Sequence, residues 1–138
     1  MKNWFIMLLT FTLISCSEKV AQEDLTLING YWEITKVILP DGNNKEYKVS
    51  TSIDFFKIDG LKGYRKKVIP KFDGSFETSD DAELFTINRG NDLFQIQYKN
   101  NLTEWQEHIL LLSEEKLVLA NGEAQYHYKR FEPINITL

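Results

Sequence analysis

From residue 27 onward the chain alternates apolar and polar positions in short runs. Phe94, Ile96 and Tyr98 interleave with Gln95, Gln97 and Lys99, and Tyr126 and Tyr128 with Gln125, His127 and Lys129. A period of two sends successive side chains to opposite faces of an extended strand, so each run has one apolar and one polar face. Between the runs stand residues that reverse a chain: Asp41-Gly42, Asp59-Gly60, Asp73-Gly74, Gly90-Asn91-Asp92, Asn100-Asn101 and Asn121-Gly122. Asn-Gly flanked by two such runs signals a hairpin, because the tightest turns need positive φ. The pattern predicts strands over 30–39, 52–58, 63–69, 82–88, 93–99, 104–112, 116–120 and 124–131, with a short ninth over 74–78. No helical period is sustained after residue 15.

A one-sided apolar face has to be covered, and hairpin links make sequential strands antiparallel neighbours. A two-sheet sandwich and a closed barrel both satisfy these demands; closure also removes exposed edges. Eight strands closed into a barrel leave an interior that side chains fill, or that holds one small ligand.

The first fifteen residues follow another pattern. Met1-Lys2-Asn3 carries a positive charge, and residues 4–14 are apolar except for Thr10 and Thr12. That run is about half of the roughly 20 residues a spanning helix needs, and reads as an export signal. Cys16 is the only cysteine, so neither an intramolecular disulfide nor a cysteine-rich zinc site is available. Leu13-Ile14-Ser15 before it resembles the bacterial lipobox. The resemblance implies that residues 1–15 are a removed signal peptide and that Cys16 becomes the lipidated first residue. With about 0.8 kcal/mol per buried methylene and more than one acyl chain, the lipid would hold the protein to a membrane. Residues 16–26 then read as the lipidated cysteine and a polar tether, and residues 27–138 as one domain.

Composition adds limits. The formal charge is −4, to which the leader contributes only Lys2, and such modest acidity gives no reason to expect nucleic acid as a partner. The exception is residues 62–71, where Lys62, Arg65, Lys66, Lys67 and Lys71 crowd together. Alternation sends Arg65, Lys67 and Ile69 to one side and Tyr64, Lys66 and Val68 to the other. This predicts either Lys66 near a barrel mouth or a bulge that changes the phase, on a solvated strand or a basic rim that attracts an anionic group. His108 and His127 fall at outward phases with no ligand spacing around them, so neither a metal nor another cofactor is expected. Gly-x-Ser-x-Gly is absent and no carboxylate pair is marked as facing, so no enzymatic activity is expected.

Gly30-Tyr31-Trp32 opens the first strand, and "YHYKRF" places Arg130 near the end of the last. These features resemble the Gly-x-Trp opening of lipocalins and the basic residue that packs on its Trp. The whole domain is similar to the lipocalin-like lipoproteins of Bacteroidota. The resemblance implies an all-β fold, an eight-stranded antiparallel up-and-down barrel, with Trp32 against Arg130. It further implies a membrane-anchored protein of the cell envelope binding a small apolar or amphipathic molecule. Candidate ligand contacts are Trp32, Phe56, Phe94, Tyr98, Tyr126, Tyr128 and Arg130. The alternative is a filled barrel that acts on another envelope protein as an inhibitor or assembly factor. Ser17 does not resemble the Asp that retains some lipoproteins at the inner membrane, which points to the outer one.

Overall fold

The computed structural model describes residues 19–133; the export signal, Cys16 and residues 134–138 lie outside them. A 3-10 helix, Gln22–Ile28, leads into ten strands: β1 Gly30–Ile38, β2 Asn44–Glu46, β3 Ile53–Asp59, β4 Lys62–Pro70, β5 Phe76–Thr78, β6 Glu83–Arg89, β7 Phe94–Lys99, β8 Glu104–Leu112, β9 Lys116–Asn121 and β10 Ala124–Arg130. Every pairing is antiparallel, and β10 returns to β1 with Trp32 opposite Arg130. Eight strands thus form a closed barrel, and two short ones lie off its path. β2 pairs only with β1 and β5 only with β4. The expected barrel and its eight strands are present, as is the short strand near 74–78. β2 falls between the first two expected strands, where none was predicted, because three exposed residues carry no period.

The tether reading stops short of the structure. Leu25 and Ile28 are buried in the core, and Val20 packs against it. Their spacing of three matches one turn of a 3-10 helix, so Leu25 and Ile28 share a face that closes one end of the barrel. Asn29 ends the helix with its backbone N–H on the Thr26 carbonyl, and its side chain accepts from the Ile58 N–H at 2.7 Å.

Trp32, Phe56, Phe85, Ile87, Phe94, Ile96, Tyr98, Ile109, Leu117, Leu119 and Tyr128 fill the interior from every strand of the barrel except β4. That strand contributes Gly63, where a Cβ would meet the Lys57 carbonyl, Ile58 and Phe85, so the missing side chain makes room for its neighbours. A second, outer cluster lies where the β4–β5 hairpin folds over β1 and β3. Phe76 stacks on Tyr31 at 4.2 Å, beside Phe55 and Phe131.

Candidate functional site

Because the strands alternate in direction, the starts of β3, β6 and β8 and the ends of β4 and β7 meet at one end of the barrel, opposite the 3-10 helix. A cavity of about 400 Å³ opens there, lined by Asp54, Arg65, Lys66, Lys67, Ser79, Asp81, Glu83 and Trp105. Its position follows from interrupted pairing: β5 ends at Thr78 and β6 starts at Glu83, so residues 79–82 leave the wall.

Arg65 forms the floor. Its Nε donates to Asp54 Oδ1 at 3.2 Å, and Nη1 donates to Glu107 Oε1 at 2.9 Å and to the Tyr98 hydroxyl at 3.2 Å. Nη2 donates to the Tyr128 hydroxyl at 3.0 Å, and the guanidinium sits over the Phe56 ring at 5.0 Å. Lys67 adds a second cation, with Nζ 2.9 Å from Asp54 Oδ1. Two cations therefore face two carboxylates, and the group is neutral as a whole. Asp54 and Glu107 are the two buried charged residues among those described, at 2% and 5% exposure, which is tolerable only because both are paired. Among the described residues no buried side-chain polar atom lacks a partner.

Burial would lower the guanidinium pKa of Arg65, but Asp54, the two tyrosine oxygens and Glu107 outweigh it and keep the charge fixed. Burial, above all, pushes the Tyr98 and Tyr128 hydroxyls well above their usual value, although Arg65 pulls the other way. A phenol whose folded pKa is raised contributes stability that is complete below its unfolded value, near pH 10, and is lost as pH rises through the folded value. In an ultraviolet titration the tyrosinate signal of these two should therefore appear only with alkaline unfolding. Tyr98→Phe with Tyr128→Phe should remove that delayed component while the other tyrosines keep theirs.

At the closed end, the Arg130 guanidinium lies 3.9 Å from the Trp32 ring. It donates to the carbonyls of Asn29, Leu27 and Glu114, at 2.6, 2.6 and 2.8 Å. Trp32 Nε1 donates to the Ile28 carbonyl at 2.8 Å, so the pair holds the helix in place. Gly30 is required beside it, since it adopts φ +118° and a Cβ there would stand 2.9 Å from Arg130 Nη1.

Residues 28–119 match the family described as Lipocalin-like domain, two thirds of the chain. The chain belongs to the lipocalin-like domain family. Among curated proteins no sequence matches it significantly. Its fold is similar to a lipocalin-like protein from Bacteroides uniformis, at 12% identity and TM-score 0.49 over 76% of this chain and 99% of that one. A protein from Bacteroides eggerthii aligns at 12% identity and TM-score 0.48 over 75% and 98%. Apocrustacyanin C1 aligns at 12% identity and TM-score 0.47 over 83% and 66%.

In this lipocalin-like barrel the seven candidate contacts do not meet at the mouth. Trp32 and Arg130 belong to the closed end, and Phe56, Phe94, Tyr98 and Tyr128 are buried behind the floor. Tyr126 packs half-buried against the same core. None of the seven lines the mouth cavity. Six of the seven are aromatic, and the interior that suits an aromatic ligand wall suits core packing equally well.

The cavity's own residues come largely from the basic run and the acidic segment after it. On β4 the expected split of faces is present and Lys66 borders the mouth, but it is Arg65 and Lys67 that point inward, while Lys66 places Nζ over the outward Tyr64 ring at 5.8 Å. Two of the run's five cations are thus not free at the rim, because Arg65 and Lys67 are spent on Asp54 and Glu107. The available signal was Asp54 and Glu107 themselves, each sharing a strand phase with apolar core residues, Phe56 and Ile109. Both histidines are on the outside. His108 Nε2 lies 3.0 Å from Gln95 Nε2, and burial and Lys36 lower the pKa of His127. Among the described residues no group of three His, Cys, Asp or Glu could hold a metal ion.

Proposed function

We propose that this chain is an envelope lipoprotein, attached through a lipid on Cys16, whose barrel receives a small molecule at its mouth. The cavity carries the reading: about 400 Å³ bounded by Trp105 and a rigid ionic floor, within the range of roughly 300 to 1,000 Å³ usual for ligand sites. The floor divides the barrel. Below it the described interior is packed with side chains, so the molecule sits in the upper part against Trp105. The lipobox-like Leu13-Ile14-Ser15-Cys16 supports the attachment, and Ser17 supports the outer membrane. A second reading, interaction with another envelope protein, draws on the outer cluster, where Phe72 and Val49 stand exposed beside a groove of about 280 Å³.

Mass spectrometry of the protein purified from its own host tests both parts. Under denaturing conditions the mature chain should begin at Cys16 and carry the mass of its acyl chains. Under native conditions a bound small molecule should add a discrete mass that mild activation removes. An unmodified or uncleaved Cys16 rejects the anchor, and a ligand-free protein that co-purifies with one stoichiometric protein favours the second reading.

A further inference from the structure

The charges around the mouth cavity are not equally available. Asp54 is occupied by Arg65 and Lys67, and Glu107 by Arg65, which leaves this inner group neutral. Asp81 and Glu83 also line the cavity, are exposed, and have no ion-pair partner among the described residues. Lys66, the remaining cation of the lining, is drawn to the outer face over Tyr64. The surplus facing a ligand is therefore negative, although the sequence there is the most basic in the chain.

Trp105 supplies the other half of the site. One face of its indole is stacked on Tyr98 at 4.9 Å and 10°, which fixes the ring, and the side chain borders the cavity. A cation over an indole face gains about 0.5 to 2 kcal/mol, and nearby carboxylates add to it. The overall charge of −4 favours the approach of a cation as well.

Resting on the reading of the mouth as a ligand site, we infer that its ligand is an organic cation: a protonated amine with an apolar body. The amine would lie toward Asp81 and Glu83 and the body against Trp105. An anion would meet those carboxylates while Arg65 and Lys67 are held by their own partners. A neutral apolar molecule would leave both carboxylates near an unpaired, partly dehydrated surface.

A matched set of probes separates the possibilities: 2-phenylethylamine, 2-phenylethanol and 3-phenylpropionate share a ring and differ in charge. Binding to the full-length protein in lipid nanodiscs can be followed by calorimetry and by tryptophan fluorescence, with Trp105→Phe identifying the signal of the cavity. The amine should bind at least tenfold more tightly than the alcohol or the acid, weaken with salt, and lose that advantage in Asp81→Asn/Glu83→Gln. Both substituted residues are exposed, and circular dichroism should show the fold unchanged. Comparable binding of all three probes, or preference for the acid, through a signal lost in Trp105→Phe overturns the cation while keeping the ligand site. No binding by any probe at millimolar concentration overturns both.

Discussion

Arg65→Leu should destabilise the protein by about 3 to 5 kcal/mol, measured by chemical denaturation at neutral pH. The size comes from what remains rather than from what is removed. Asp54 and Glu107 are almost fully buried, and without the guanidinium one carboxylate keeps only Lys67 and the other loses its cation. Breaking a buried pair by removing one partner costs this much because it strands an uncompensated charge. Tyr98 and Tyr128 would also lose the donor that their hydroxyls accept from. The triple variant Arg65→Leu/Asp54→Asn/Glu107→Gln removes the stranded charges and should recover part of the loss. If the triple variant were no more stable than Arg65→Leu, the cost would lie in packing around Phe56 and not in charge.

Trp32→Ala should cost a similar amount, about 3 to 5 kcal/mol, through a different mechanism. Its side chain is fully buried against the 3-10 helix, so truncation opens a cavity that the barrel wall cannot collapse to fill. It also removes the bond to the Ile28 carbonyl and the ring beneath Arg130. Arg130→Ala should cost less, since the guanidinium is partly solvated and water can reach some of the carbonyls it serves. The two changes should be non-additive, with the double variant less destabilised than the sum of the singles, because either one already forfeits the stacking contact. Strict additivity in a double-mutant cycle would mean that the 3.9 Å stacking contributes nothing beyond each residue's separate packing.

The strands and their antiparallel order were legible from residues 30 to 130 because each depends on local information, whereas the Trp32–Arg130 pair was expected only from the resemblance to lipocalins. A period of two and a Gly-containing turn act over a few residues, and a meander joins neighbours in sequence; they leave a sandwich and a barrel both open, and closure of the last strand on the first was what the resemblance implied. The 3-10 helix was not legible, since two apolar residues three apart in a polar stretch become a signal only when there is a barrel end for them to close. The mouth was beyond the sequence for a related reason. Periodicity says which side chains of β4 share a face, but not which face is inside. Tyr64 and Val68 made one face look like the core, yet only Asp54 reaches Arg65 across the β3–β4 hairpin; its other partners lie 33, 42 and 63 residues away, and barrel closure brings them within 3.2 Å. Buried charge is settled by such distant partners, because it costs several kcal/mol until all of them arrive together. Sequence determined the scaffold, while tertiary structure decided which of its charges are spent inside and which are left exposed at the mouth.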